Sequence, residues 1–254
     1  MIIEKNANFE VGLARTPSEL HAAQRLRYDV FVSELGAGGP LVDHDQRLEK
    51  DQYDAFVDHL ILTCKKTGQV VGVYRLLRAG AAEKAGGFYS ENEYDLTLLK
   101  RSGRQILELG RSCLHRDYRG GAAMHYLWSG LAQYVAQHRI EILFGVASFH
   151  GTDLSALAQP LSLLCQNHLA PPELRVRARE DAYQNMDMIP AAQLDRRQAM
   201  LQVPSLIKAY LRLGGCVGDG AFIDHAFNTT DVCLIMDTTK LNDRQARIYG
   251  GAPK

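Results

Sequence analysis

Residues 106–128 read ILELGRSCLHRDYRGGAAMHYLW, a pattern that predicts a strand, a tight basic loop and the first turns of a helix. The apolar residues of 105–114 indicate a buried strand, and those from Met124 onward recur at helical spacing. Between them, Gly120 and Gly121 permit a close turn around a ligand. The amides that begin the following helix lie at the positive end of its dipole, and Arg116 and Arg119 add charge. The stretch therefore predicts a phosphate-binding loop.

Composition limits the classes of function. The chain has 254 residues, of which 46% are hydrophobic and 23% charged, as is typical of a soluble globular protein. Because 29 basic residues balance 29 acidic ones, no overall charge favours nucleic acid, and an anionic partner must dock on a local patch. Five scattered cysteines without CxxC spacing indicate reduced core thiols and no zinc site. With neither a signal peptide nor a long apolar run, the expected location is the cytoplasm.

The N-terminal region predicts a helix with an unusual buried charge. Residues 9–13 alternate as a strand does, and Thr16, Pro17 and Glu19 then form a helix-starting pattern with a capping box. The apolar stripe of this helix includes Arg27, whose guanidinium needs carboxylate partners if it is buried. The acidic, non-periodic segment 33–58 offers Asp51 and Asp54, although a solvated acidic loop is an equally good reading of that segment.

The middle of the chain predicts a run of strands. Residues 59–63 and 70–78 are joined by a turn at 66–69, and Arg75 lies in the second of them. In the next strand Glu108 and Arg111 are three residues apart, so they point to opposite faces unless a bulge intervenes. Gly110 is suited to such a bulge.

The C-terminal half predicts further strands and helices. A strand at 142–148 leads to His150, which either serves in catalysis at the end of a central strand or closes an ordinary βα turn. Helices are expected at 154–167 and 204–213, and paired strands at 221–226 and 231–237.

The strand–loop–helix at 106–128 resembles the acyl-CoA-binding signature of the GNAT N-acyltransferases. The run Asp117-Tyr118-Arg119-Gly120-Gly121-Ala122 departs from the family pattern in having Asp117 where a basic residue usually leads. The resemblance implies an α/β (α+β) fold with a mixed central sheet flanked by helices, and a bulge in the strand of Glu108. It implies one domain over residues 1–254, with a family-specific C-terminal extension from about residue 150. The donor phosphopantetheine would be bound by Arg116, Arg119, Gly120, Gly121 and Ala122.

A set of charged residues carries a more specific resemblance, to the acyl-homoserine-lactone synthases and their relatives. The set comprises Arg27, Phe31, Asp51, Asp54, Arg75, Glu108 and Arg111. Within that group, residues 147–164 (ASFHGTDLSALAQPLSLL) and 206–232 (LIKAYLRLGGCVGDGAFIDHAFNTTDV) closely resemble the ornithine-lipid branch, the L-ornithine Nα-acyltransferases. Homoserine-lactone synthases commonly carry a tryptophan after the first helix, whereas the single tryptophan here is Trp128.

The resemblance implies transfer of a 3-hydroxy fatty acyl group from the thioester of acyl carrier protein, or from acyl-CoA, to the α-amine of L-ornithine. The product would be lyso-ornithine lipid, with peripheral inner-membrane contact through that product. Neither a metal nor a tightly bound cofactor is expected. The alternatives are a homoserine-lactone synthase or other N-acyl amino acid synthase, and a non-catalytic acyl-carrier-protein-binding module, against which the intact charged set argues.

Roles for the site residues follow from this chemistry. Attack requires a neutral amine and hence a general base, for which Glu108 is the first candidate and His150 the second. Arg111 is grouped with these catalytic residues. The acceptor site is assigned to Arg27, Phe31, Asp51, Asp54 and Arg75, and the charged members with Arg111 are expected to form a network that orders this site and its covering loop.

Residues 174–179 alternate apolar residues with arginine. On a strand, Arg175, Arg177 and Arg179 project from one face. This arginine stripe is a candidate docking surface for the acidic carrier protein. The alternative is a solvated edge strand whose arginines discourage aggregation.

Overall fold

The structure, a computed structural model, describes residues 2–5 and 8–241. The strands, numbered in chain order, are β1 (Ile2–Lys5), β2 (Phe9–Leu13), β3 (Asp58–Cys64), β4 (Val70–Arg78), β5 (Tyr94–Asp95), β6 (Ile106–Leu114), β7 (Ile142–His150), β8 (Arg177–Ala178), β9 (Cys216–Val217), β10 (Phe222–Asp224) and β11 (Thr229–Asp237). The helices are α1 (Pro17–Arg27), α2 (Ala79–Ala85), α3 (Thr97–Arg101), α4 (Ala123–His138), α5 (Ala158–His168), α6 (Arg196–Gln202) and α7 (Ser205–Arg212).

The described chain divides into two compact units. The first contains the residues up to Gly87 together with Leu107–Ile140, and the second contains Phe88–Ile106 and the residues from Glu141 onward. The α/β fold, with sheet strands flanked by helices, is confirmed. One domain with an extension from about residue 150 stays a prediction.

The sheet of the first unit carries a helix on each face. Its strands run in the order β1-β2-β3-β4-β6 with antiparallel ladders. On one face α1 packs its apolar residues against β3, β4 and β6; this core comprises Ala23, Leu26, Val30, Ile61, Val73 and Cys113. On the opposite face α4 lies so close to β2 that a Cβ on Gly130 would stand 2.3 Å from Val11 Cγ1. Glycine at that position therefore lets the helix seat on the sheet.

Helix α1 begins as predicted. Thr16 Oγ1 accepts a hydrogen bond from Glu19 N at 3.2 Å, and Glu19 Oε2 accepts one from Thr16 N at 2.9 Å. This capping box satisfies two amides that the first turn leaves without helical partners. After Arg27 the chain continues in a π-helical segment, Tyr28–Glu34.

The second unit is built on β7 and β11, which pair antiparallel over their whole lengths, from Thr229 opposite His150 to Asp237 opposite Ile142. Strands β9 and β10 also pair with β11, and β5 pairs with β8. Arg104 clamps the end of β11, donating to the two carboxylate oxygens of Asp237 at 2.7 and 2.8 Å. These hydrogen bonds lower the pKa of Asp237 to about 2.

Several element boundaries differ from those predicted. The helix expected at 154–167 begins at Ala158, because Asp153 accepts hydrogen bonds from both the amide and the hydroxyl of Ser155 and holds that segment in a turn. The strand expected at 174–179 is limited to β8, and the one at 221–226 to β10. Strand β1 and helix α2 were not anticipated. No helix among the described residues combines the length and the apolar character that crossing a membrane requires.

Candidate active site

Three arginines and three carboxylates of the first unit form a closed ring in which each acid bridges two arginines. Glu49 contacts Arg27 and Arg111, at 2.5 and 3.1 Å. Asp51 contacts Arg75 and Arg111, at 2.5 and 3.2 Å. Asp54 contacts Arg27 and Arg75, at 2.7 and 3.5 Å. We call this set the charged ring: Arg27, Glu49, Arg111, Asp51, Arg75 and Asp54.

The acids of the charged ring are held in their ionised form. Burial raises the pKa of Glu49, but Arg111 and Arg27 outweigh it and bring the pKa below its ordinary value. Asp51 and Asp54 show the same balance between burial and the guanidiniums that face them. Arg27 is fully buried, and although burial lowers its pKa, its two acids leave the pKa raised. The ring therefore places balanced, fixed charges inside the first unit.

Two further polar residues of this unit support Asp54. Gln24 donates from Nε2 to Asp54 Oδ2 at 2.8 Å, and His59 Nε2 lies 3.2 Å from the Asp54 carbonyl oxygen. Burial lowers the pKa of His59, which keeps the imidazole neutral beside the arginines. Neither residue was singled out from the sequence.

A bulge in β6 explains how Glu108 and Arg111 share one face of the sheet. The register passes from Arg75 opposite Gly110 to Val73 opposite Cys113, so one extra residue is accommodated in β6. Glu108, 3% exposed, lies opposite Leu77 and hence on the same face as Arg75. The bulge is as expected, but Gly110 stays in the ladder, and Arg111 takes the left-handed φ of 50° that returns its side chain to the ring.

The predicted donor loop runs from His115 to Ala122, the residue that directly precedes α4. Gly120 adopts a left-handed φ of 75°, as a tight turn requires. Arg119 is held from both sides, by Glu34 Oε2 at 2.8 Å and by the Leu114 carbonyl oxygen at 3.0 Å. It therefore shapes the loop, whereas Arg116 is mostly exposed.

The structure also places the remaining candidate residues for the acceptor site, all in the first unit. Phe31 packs against the core beneath α1, where it is partly buried. Of the two acids proposed to answer Arg27, Asp54 does so, and Asp51 instead pairs with Arg75 and Arg111. Glu49 was missed as the second partner of Arg27, although it stands two residues before Asp51 in the same acidic run.

The second unit contains His150 and the arginine stripe. His150 is the exposed last residue of β7. The stripe alternates with buried apolar residues as predicted: Arg175, Arg177 and Arg179 are exposed. Arg177 pairs with Asp219 and stacks over the Tyr183 ring at 4.1 Å, which ties it to the fold.

The same unit contains a small acidic cluster. Glu93, Asp224 and Asp231 bring carboxylate oxygens within 4.8 Å of one another, a spacing that would suit a cation. The spacing alone does not identify a cation site, so no metal is assigned to the cluster.

Comparison with known proteins defines the class. Residues 26–129 match the family described as acetyltransferase (GNAT) domain. The chain is similar in fold to FeeM, an N-acyl amino acid synthase from uncultured soil microbes (TM-score 0.54, 11% identity, 91% of each chain). It is also similar to MesI, a CoA-dependent acyl-homoserine lactone synthase (TM-score 0.52, 14% identity, 96% and 97% of the two chains). The family match over residues 26–129 and the shared fold thus place this part of the chain in the GNAT class.

Curated relatives identify the branch. The L-ornithine N(alpha)-acyltransferase of Rhodobacter capsulatus is 56% identical over 95% of each chain. That of Brucella abortus is 40% identical over 98% of this chain and 92% of its own. The chain belongs to the L-ornithine N(alpha)-acyltransferase family.

Proposed function

We propose that the enzyme transfers a 3-hydroxy fatty acyl group from the thioester of acyl carrier protein to the α-amine of L-ornithine, forming lyso-ornithine lipid. The observation that carries the proposal is the 56% identity, over 95% of both chains, to a relative named for this acceptor. The buried ring and the bulged β6 support it, because an enzyme that binds a charged amino acid needs fixed charges beside its acyl donor.

The reaction exchanges a thioester for an amide. The α-amine nitrogen attacks the thioester carbonyl carbon, the C–N bond forms, and the C–S bond breaks to release the pantetheine thiol. The attacking amine must lose a proton, and we assign its removal to Glu108, directly or through water. The charged ring positions the acceptor and does not itself exchange protons.

The acceptor is tested by incubating the purified full-length chain with 3-hydroxyacyl carrier protein and a panel of amines. The panel comprises L-ornithine, D-ornithine, L-lysine and S-adenosylmethionine, with products followed by mass spectrometry. Fragmentation is expected to place the acyl group on the α-nitrogen of L-ornithine. Product from S-adenosylmethionine instead would identify a homoserine-lactone synthase. If none of these amines were acylated, the proposed acceptor would be contradicted.

We also propose that the arginine stripe docks the carrier protein. The test uses Arg175→Glu with Arg179→Glu, which removes the hydrogen bond from Arg175 Nε to the Ala170 carbonyl oxygen and the exposed ion pair of Arg179 with Asp181. Arg177→Glu, which loses the contacts with Asp219 and Tyr183, is the control for damage to the fold. At low salt the double variant is expected to lose about tenfold in kcat/KM with the carrier-protein donor, because electrostatic steering is lost. With an acyl-pantetheine donor, the kcat/KM of the double variant is expected to fall little.

Ionic strength provides the internal check on docking. Moderate salt screens exposed charges, so it should reduce the difference between wild type and the double variant. Equal losses with both donors would assign the stripe to the fold, and the docking proposal would be withdrawn.

The product suggests where the enzyme works. Lyso-ornithine lipid has a fatty chain and a charged head, so we propose that the enzyme releases it at the inner membrane while in peripheral contact with the lipid surface. Co-sedimentation of the full chain with anionic vesicles, with and without product, tests this contact.

A further inference from the structure

The hydroxyl of Ser112 is buried and has no hydrogen-bond partner among the described residues. Among the described residues of the same unit, Arg27 Nη2 and His59 Nδ1 are further examples of such buried atoms, but these two side chains form hydrogen bonds through other atoms. In Ser112, by contrast, the hydroxyl is the only polar group of the side chain. Because a buried polar group without a partner destabilises a protein, such a group in a native fold calls for an explanation.

The position of Ser112 in β6 suggests an explanation for its unpaired hydroxyl. It lies in the bulge of β6, next to Arg111 of the charged ring and two residues before Leu114, which packs beside Leu127 of α4. Its side chain therefore lies on the α4 face of the sheet, opposite the face of Glu108. Toward the other end of the strand, about 10 Å of extended chain separates it from His115, where the donor loop begins. A pantetheine arm that runs from the loop back along β6 would bring its thioester to the bulge.

We propose that Ser112 is a catalytic residue that donates a hydrogen bond from Oγ to the carbonyl oxygen of the donor thioester. This inference rests on the proposed use of an acyl thioester. As the amine attacks, the carbonyl oxygen gains negative charge, and the hydrogen bond strengthens in the transition state. Ser112 gives up no proton in this step. The proton of the amine still leaves to Glu108, and the sulfur still leaves with the pantetheine.

Ser112→Ala separates this catalytic role from a structural one, because the two roles predict different changes in Tm and in turnover. Removing an unpaired hydroxyl is expected to leave the Tm unchanged or higher, whereas kcat should fall on the order of 10²-fold with little change in KM. Ser112→Thr, which restores a hydroxyl, should recover most of the turnover. Unchanged kcat in Ser112→Ala would overturn the proposal.

Ser162 offers a matched control for deletion of a buried hydroxyl. Its Oγ donates to the Met186 carbonyl oxygen at 3.0 Å and accepts from the amides of Met188 and Ile189, both at 2.9 Å. Ser162→Ala should therefore lower the Tm and leave turnover per folded molecule unchanged. A fall in Tm for Ser112→Ala as large as that for Ser162→Ala would assign Ser112 to the fold.

A binding measurement tests the inference without any amine, and so independently of the ornithine proposal. Two unreactive acyl-pantetheine analogues are compared: a ketone, in which a methylene replaces the sulfur, and a thioether, in which a methylene replaces the carbonyl. The wild type is expected to bind the ketone about fivefold more tightly, and Ser112→Ala to bind both alike. Equal binding by the wild type, a preference retained in the variant, or binding of neither analogue would each overturn the inference.

Discussion

Replacing Arg27 by alanine is expected to lower the free energy of unfolding by about 3–5 kcal/mol, because two buried acids lose a guanidinium. Arg27 is fully buried and contacts Glu49 at 2.5 Å and Asp54 at 2.7 Å. Chemical denaturation of the full chain, fitted as a two-state transition, measures the loss. Activity should fall as well, since the acids also position Arg75 and Arg111.

The control is an arginine of the same unit whose ion pair is exposed. Arg47 contacts Asp29 at 2.7 Å with both side chains well exposed, and exposed pairs contribute at most about 1 kcal/mol. Arg47→Ala should therefore unfold nearly as the wild type does. If Arg27→Ala did the same, the charged ring would contribute nothing to stability.

The closed ring leads to a second expectation for Arg27. In an isolated pair, neutralising the remaining acid would restore much of the lost stability. Here Glu49 also holds Arg111, so Arg27→Ala with Glu49→Gln would leave Arg111 short of a partner. The double variant is expected to be no more stable than Arg27→Ala. Recovery of stability would show that the contacts act as separate pairs.

Glu108→Gln is expected to lower kcat by about 10²–10⁴-fold with little change in KM, because a general base acts in the transition state, whereas donor binding is proposed for the loop at residues 115–122. The amide keeps the shape of a side chain that is 3% exposed on β6. Turnover with the carrier-protein donor and L-ornithine, measured over a range of pH, provides the readout.

His150→Ala is the companion variant. His150 is exposed at the end of β7 in the second unit, and its loss should leave most of the turnover intact. The opposite pattern, with normal turnover in Glu108→Gln and loss in His150→Ala, would transfer the base to His150.

Local features of this chain were predictable from its sequence. The capping box at Thr16 and Glu19 specified where α1 begins, since its hydrogen bonds join residues three apart. Alternation and turn residues located β3, β4 and β6. The spacing of Glu108 and Arg111 indicated that the two could share one face only through a bulge, and that bulge is found. These signals depend on backbone geometry over a few residues, which the order of side chains encodes directly.

The tertiary structure decided which charges meet. Glu49 stands 22 residues from Arg27 and 62 from Arg111, so its place in the ring depends on how the acidic segment lies against α1 and β6. The same packing placed the left-handed residue of the bulge at Arg111 and not at Gly110. It also buried the Ser112 hydroxyl where no described residue forms a hydrogen bond with it. Contacts between distant segments follow from packing and charge compensation in three dimensions, which periodicity along the chain does not contain.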